Sequence, residues 1–108
     1  MKIIKKNRKF KVGKGNIQLI DKAHIYLKKN EMVTFKNKKM QYDVVRKSWG
    51  YYATPSINSR LLKFNFKTCI VINKISKNIF ILLVDKNKKQ DFKKYLKSED
   101  CKIVKWLS

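Results

Sequence analysis

One stretch of this sequence concentrates side chains able to hold a charged or planar ligand. It runs Arg46-Lys47-Ser48-Trp49-Gly50-Tyr51-Tyr52-Ala53-Thr54-Pro55-Ser56-Ile57-Asn58-Ser59-Arg60. The chain has only three arginines, Arg8, Arg46 and Arg60, and two of them bracket this stretch. Where lysine is otherwise the rule, an arginine points to a need for a planar fork that grips phosphate or carboxylate with two hydrogen bonds. Aromatic faces beside such cations stack on bases or sugars. Thr54, Ser56, Asn58 and Ser59 add hydrogen-bonding groups. The residues expected to bind are Arg46, Lys47, Trp49, Tyr51, Tyr52, Asn58 and Arg60. A plainer reading stays open beside this one: the aromatics plug the core beneath a long loop and the arginines pair with acids.

Catalytic and metal chemistry find less support. His24 is the one histidine, and it falls on an alternating strand pattern. Its spacing to Cys69 and Cys101 does not mark a nucleophile–base pair. The seven acids are Asp21, Glu31, Asp43, Asp85, Asp91, Glu99 and Asp100. No pair among them has a spacing that demands metal binding or acid–base work, and each has lysines nearby to pair with. One His and two distant Cys do not make a closed zinc site. No catalytic residue, metal or cofactor is therefore expected. The two cysteines lack CxxC spacing and read as reduced, packed thiols; a bridge between them stays open in the sequence, though a cytoplasmic setting disfavours it.

The charge balance sets the class of partner. Twenty-eight Lys and Arg face seven Asp and Glu, a formal net charge of +21. Such a chain repels itself and seeks polyanions, with RNA or DNA first and an anionic membrane surface next. Lys, Ile and Asn are all abundant, and all have AT-rich codons, so part of the lysine excess reflects coding bias. The shortage of acids is not explained that way. Lysines are spread along the chain, as on a decorated folded surface rather than a basic tail.

The elements that must position these residues follow from periodicity. A length of 108 residues with 44% hydrophobic residues fits a single domain, 1–108, with one core. Arg8 to Val12 alternates like a half-buried strand, Gly13 to Asn16 turns, and Ile17 to Ile20 and His24 to Leu27 are strand-like. Met32 to Phe35 and Met40 to Arg46 continue the pattern, with turns at 28–30 and 37–39. Together they predict a short antiparallel meander. Residues 48–55 show neither period. Ser56 is placed to cap a short helix near 57–63 carrying Ile57, Leu61 and Leu62. Cys69 to Ile72 and Ile79 to Val84 are apolar, β-branched runs and read as central strands buried on both faces. Phe92, Tyr95 and Leu96 mark the inner face of a helix at about 88–98. Ile103 to Leu107 closes a β-β-α-β half. The expected fold is α+β with a mostly antiparallel sheet.

No apolar run approaches the ~20 residues of a spanning helix. The charged start, Met1 to Lys9, is followed by no apolar stretch, so no secretory signal is expected and the cytoplasm is the expected location.

The run Trp49 to Leu61 resembles a string shared by a family of small uncharacterised bacterial proteins, Trp-Gly-(Tyr/Phe)-Tyr-Ala-Thr-Pro-Ser-(Ile/Leu)-Asn-x-Arg-Leu. Tyr42 to Lys47 and Val104 to Leu107 look similar too, and the resemblance spans roughly residues 22–107. Such proteins are associated with genes for cell-surface polysaccharide synthesis. The resemblance thus implies an alternative: an accessory protein or small enzyme of polysaccharide metabolism, whose aromatic–arginine segment meets a sugar nucleotide or an acidic glycan. Residues 25–35 are similar to a cupin strand pair, but the cupin metal-binding histidines are absent.

Overall fold

The computed structural model describes residues 1–38 and 40–108. The fold is α+β and mostly antiparallel, as the periodicities predict. Its packing falls into two compact units, one comprising Met1–Val12 and Ile17–Pro55, the other Gly13–Asn16 and Ser56–Ser108.

The first unit is all strand. β1 (Lys2–Val12) and β2 (Ile17–Tyr26) form a two-stranded antiparallel sheet. β1 starts well before the predicted Arg8, because Lys2 to Lys9 pairs by backbone even though most of its side chains are exposed. The register shifts between Lys5 and Arg8. Arg8 then spans from the Phe10 ring, 4.6 Å from its guanidinium carbon, to the Asp21 carboxylate at 3.5 Å. β3 (Met32–Asn37), β4 (Met40–Lys47) and β5 (Gly50–Ala53) make a second sheet in chain order. The turn predicted at 37–39 falls partly on residue 39, outside the described residues.

The second unit packs a helix on a three-stranded sheet. Its elements are α1 (Arg60–Lys63), β6 (Phe66–Asn73), β7 (Ile79–Asp85), α2 (Lys89–Ser98) and β8 (Cys101–Trp106), with strand order β7-β6-β8. Cys69, Val71, Val84 and Leu96 form the core, with Leu82, Phe92 and Cys101 packed against it. Burying aliphatic side chains of this size stabilises the fold by about 1.5–3 kcal/mol each. Both cysteines are free thiols. Cys69 is fully buried, and burial pushes its thiol pKa up, because the thiolate would lose its hydration.

Two sequence expectations need correction here. β6 is central, but β7 is an edge strand. Ile79 and Ile81 are exposed, because only one face of β7 meets the core and α2. A continuous apolar run cannot distinguish a strand covered on both faces from one covered on a single face. In α2, Leu96 is buried and Phe92 is half-buried, whereas Tyr95 stands exposed. Positions 92 and 96 lie about 40° apart around a helix of 3.6 residues per turn, so they define the stripe and leave 95 at its margin.

Backbone punctuation is local. Asp85 accepts the Asn87 N–H at 2.9 Å and starts the 3₁₀ turn Lys86–Lys88 that leads into α2. Asn73 Oδ1 accepts the N–H groups of Ile75 and Ser76, closing the β6–β7 connection. In the second unit Gly13 takes φ +75° where the Glu99 side chain lies against it, and Gly15 donates its N–H to Glu99 Oε2 at 2.5 Å. No helix among the described residues is long and apolar enough to cross a membrane.

Candidate functional site on the β4–β5 hairpin

The segment that lacked a period in the sequence forms a tight hairpin. Lys47 pairs with Gly50, so only Ser48 and Trp49 lie in the turn. Neither has a positive φ, and Gly50 takes φ +145°, which only glycine adopts readily. Tight hairpins favour turns with positive φ at their centre; here the glycine after the turn absorbs the mismatch. Two consequences follow. The indole of Trp49 is carried out at the tip, 70% exposed. The residues after Gly50 pair with β4 in a fixed register, Tyr51 opposite Arg46 and Tyr52 opposite Val45.

That register divides the aromatic cluster between two faces of the sheet, since directly opposed residues share a face and neighbours along a strand do not. On one face Arg46 donates to the Tyr51 hydroxyl at 3.2 Å, with its guanidinium carbon 5.1 Å from the Tyr51 ring centroid. The remaining guanidinium N–H groups of Arg46 meet no other acceptor among the described residues. Tyr51 also lines an apolar groove of about 340 Å³ with Ala23, Ile25, Leu27, Val33, Phe35 and Val44. On the other face Tyr52 carries Trp49 stacked on it, the centroids 6.2 Å apart and the planes within 19°. Both rings present area to solvent, so the cluster is not a core plug. Lys47 is tethered, its Nζ donating to Asn30 Oδ1 at 2.7 Å.

The polar half of the segment proves largely structural. Asp43 is 3% exposed and accepts from the Thr34 hydroxyl at 2.6 Å, the Thr54 hydroxyl at 3.0 Å and the Gln41 amide at 3.4 Å. The Thr54 N–H also reaches the Asp43 carbonyl at 2.9 Å, carrying the strand pairing one residue past β5. A buried carboxylate needs such donors, and here they tie β3, β4 and the end of β5 together. Thr54 is therefore engaged before any ligand arrives. The sequence alone suggests a local salt-bridge partner for each acid; hydroxyl and amide donors also engage the carboxylate of Asp43. Its place between the apolar Tyr42 and Val44, with Thr34 and Thr54 on flanking strands, was the signal of its cross-linking role.

Asn58 and Arg60 belong to the second unit. Asn58 is exposed. α1 is shorter than the expected 57–63: it begins at Arg60 with Ser59 at its N-cap and no side-chain cap, so Ser56 and Ile57 lie ahead of it, although Ser56 Oγ still accepts the Arg60 N–H at 3.1 Å; Leu61 is buried. The Arg60 guanidinium carbon lies 5.9 Å from the Phe64 ring centroid.

His24 sits on β2 with Nε2 2.7 Å from Asp21 Oδ2. That hydrogen bond, aided by Arg8, holds the Asp21 carboxyl below its ordinary range. Glu31 is held low as well, by the Lys28 backbone N–H and then by the N-terminal ammonium. Among the described residues no three His, Cys, Asp or Glu side chains are grouped to hold a metal ion.

Comparison of the chain with models of protein families, with curated proteins and with solved structures finds no match.

Proposed function

We propose that this chain is a non-catalytic binding module for an anionic ligand, with nucleic acid as the leading candidate. The observation that carries the reading is the β4–β5 hairpin, which holds the exposed Trp49–Tyr52 stack on one face and the Arg46–Tyr51 pair on the other. A large indole 70% exposed contributes little to stability in water. Stacking on a base gives it a partner. Arithmetic adds the charge argument: if all seven acids each paired with a separate cation, 21 of the 28 Lys and Arg would still face solvent counter-ions. That excess supplies attraction for phosphate without sequence preference.

In this reading Trp49 and Tyr52 offer stacking surface and the Arg46 fork takes a phosphate. Lys47 is proposed as a further contact of the hairpin and Tyr51 orients Arg46; Asn58 and Arg60 are proposed separately, as contacts carried by the second unit. Anisotropy titration of a labelled single-stranded RNA tests the assignment. Trp49→Ala should weaken binding by roughly 5- to 150-fold, the equivalent of the ~1–3 kcal/mol that aromatic–base stacking contributes. It should leave the urea midpoint nearly unchanged. Unchanged RNA affinity would remove the hairpin from the site.

The polysaccharide alternative uses the same rings, which stack on sugars as well as on bases. A nucleotide sugar or acidic glycan that binds while RNA does not would select it.

A further inference from the structure

The second unit carries a separate concentration of lysine and aromatic side chains. We infer that the groove between α2 and β8 is a ligand site of its own, taking one nucleotide of a single strand, with the base against Trp106 and the phosphate at Lys89 and Lys93. The inference rests on the proposed polyanion binding for its class of ligand, but on different residues for its place.

A β-bulge creates the groove. β8 pairs with β6 as Ile103↔Val71 and then Lys105↔Ile70 and Trp106↔Cys69, so Val104 is an extra residue without a partner. Strict alternation would put Ile103 and Trp106, three residues apart, on opposite faces. The bulge reverses the parity beyond Val104 and turns Trp106 onto the face that α2 covers. There its indole meets Phe92 edge-on, the centroids 6.3 Å apart and the planes at 66°.

α2 supplies the cations. Lys89, Phe92 and Lys93 stand at i, i+3 and i+4, so the two lysines flank the phenyl ring on one face of the helix. Lys67 reaches in from β6, its Nζ 4.8 Å from the Trp106 ring centroid. Lys67, Lys89, Phe92, Lys93, Ile103 and Trp106 together line a groove of about 260 Å³. Among the described residues none of these three lysines has a carboxylate partner. Three ammonium groups around one small groove repel one another, and a bound phosphate relieves that repulsion.

Floor and size define the ligand further. Phe92, Ile103 and Trp106 offer apolar surface that inorganic phosphate would not use. The volume lies below the roughly 300–1,000 Å³ of small-molecule pockets. It suits a single base with its phosphate, the rest of the strand running along the lysine-rich surface.

The two tryptophans, Trp49 and Trp106, make the test direct. Trp49→Phe leaves Trp106 as sole indole reporter, and Trp106→Phe leaves Trp49. A ten-nucleotide oligouridylate is titrated into each at low salt, with anisotropy of the labelled strand read in parallel. The inference expects Trp106 emission to be quenched on binding. Lys89→Ala with Lys93→Ala on the Trp49→Phe background should abolish the quench. Both lysines are exposed, so far-UV circular dichroism should not change. Loss of the one phosphate contact that the two lysines share should also reduce the magnitude of the log–log salt slope by about 0.7. Binding by anisotropy with Trp106 emission unchanged would overturn this site and leave the proposed function standing. No binding by anisotropy would overturn both. Inorganic phosphate that protects Trp106 from the oligonucleotide at equal concentration would overturn the nucleotide assignment in favour of a plain anion site.

Discussion

Gly13 is where a single methyl group should cost the fold most for its size. It combines φ +75° with a Cβ position that would overlap Glu99 Oε1 and crowd Glu99 Cδ. Gly13→Ala therefore meets two penalties. The left-handed backbone costs an alanine about 1–2 kcal/mol. The clash then expels the Glu99 carboxylate, which is 7% exposed and holds the Gly15 N–H. Gly15 is exposed, so water takes over that donor and the lost hydrogen bond adds about 0.5–1.5 kcal/mol. Reduced freedom of the unfolded chain returns roughly 0.4–1 kcal/mol, so the net loss should be about 1–3 kcal/mol. With a urea slope of about 1–2 kcal/mol/M for a domain of this size, the midpoint should fall by at least about 0.5 M. Gly50→Ala is the control. An added Cβ there meets nothing within 4 Å, so its loss comes from its own φ of +145° and should not depend on Glu99. Glu99→Ala should make Gly13→Ala milder, a coupling that a double-mutant cycle reads directly. If Glu99→Ala leaves the cost of Gly13→Ala unchanged, the close approach of Glu99 is not the reason for the glycine.

Three further outcomes are expected. Thr68 Oγ1 is buried with no hydrogen-bond partner among the described residues, so Thr68→Val should raise stability by about 1 kcal/mol in urea titration, and a loss would mean the hydroxyl is satisfied. Under native conditions a thiol reagent should label Cys101 first and reach Cys69 only through opening of the fold, because burial excludes the reagent and raises the Cys69 thiol pKa; equal rates would contradict this. Asp21 and Glu31 have folded pKa values below their ordinary ones, so their stabilisation is present above the ordinary values and is lost as pH falls through the lowered ones. Amide resonances of β1 and β2 should therefore hold from neutral pH down to about pH 4 and weaken below it, and Asp21→Asn with Glu31→Gln should flatten that acid response.

Strand and helix positions were legible where burial imposes a period on the residues. Met40 to Lys47 alternates around the buried Asp43 and Val45, and α2 carries its stripe at Phe92 and Leu96. What stayed hidden depends on pairing, which one strand cannot encode alone. The edge position of β7 follows from β6 pairing with β8 on its other side. β5 carries two consecutive tyrosines and no alternation, so only its register with β4 reveals a strand. The same register separates Arg46 and Tyr51 from Tyr52, residues that a linear reading joins in one cluster. At Trp106 the sequence shows an apolar strand end. The extra residue Val104, visible only against β6, turns that indole toward Lys89 and Lys93. The Asp43–Thr34–Thr54 network likewise joins positions that no short motif connects.

The central claim is that the charge excess and the hairpin aromatics act together on a polyanion. The most direct measurement is the affinity of the purified chain for single-stranded RNA over a series of salt concentrations, for the natural sequence and for Trp49→Ala. The account predicts a linear fall of log affinity with log salt, at about 0.7 per phosphate contact. It also predicts binding that persists near physiological salt, with Trp49→Ala lying below the natural chain at every point and parallel to it, since stacking carries no counter-ion. Binding that vanishes by physiological salt, with the two lines superimposed, would contradict it and leave the lysines as surface composition.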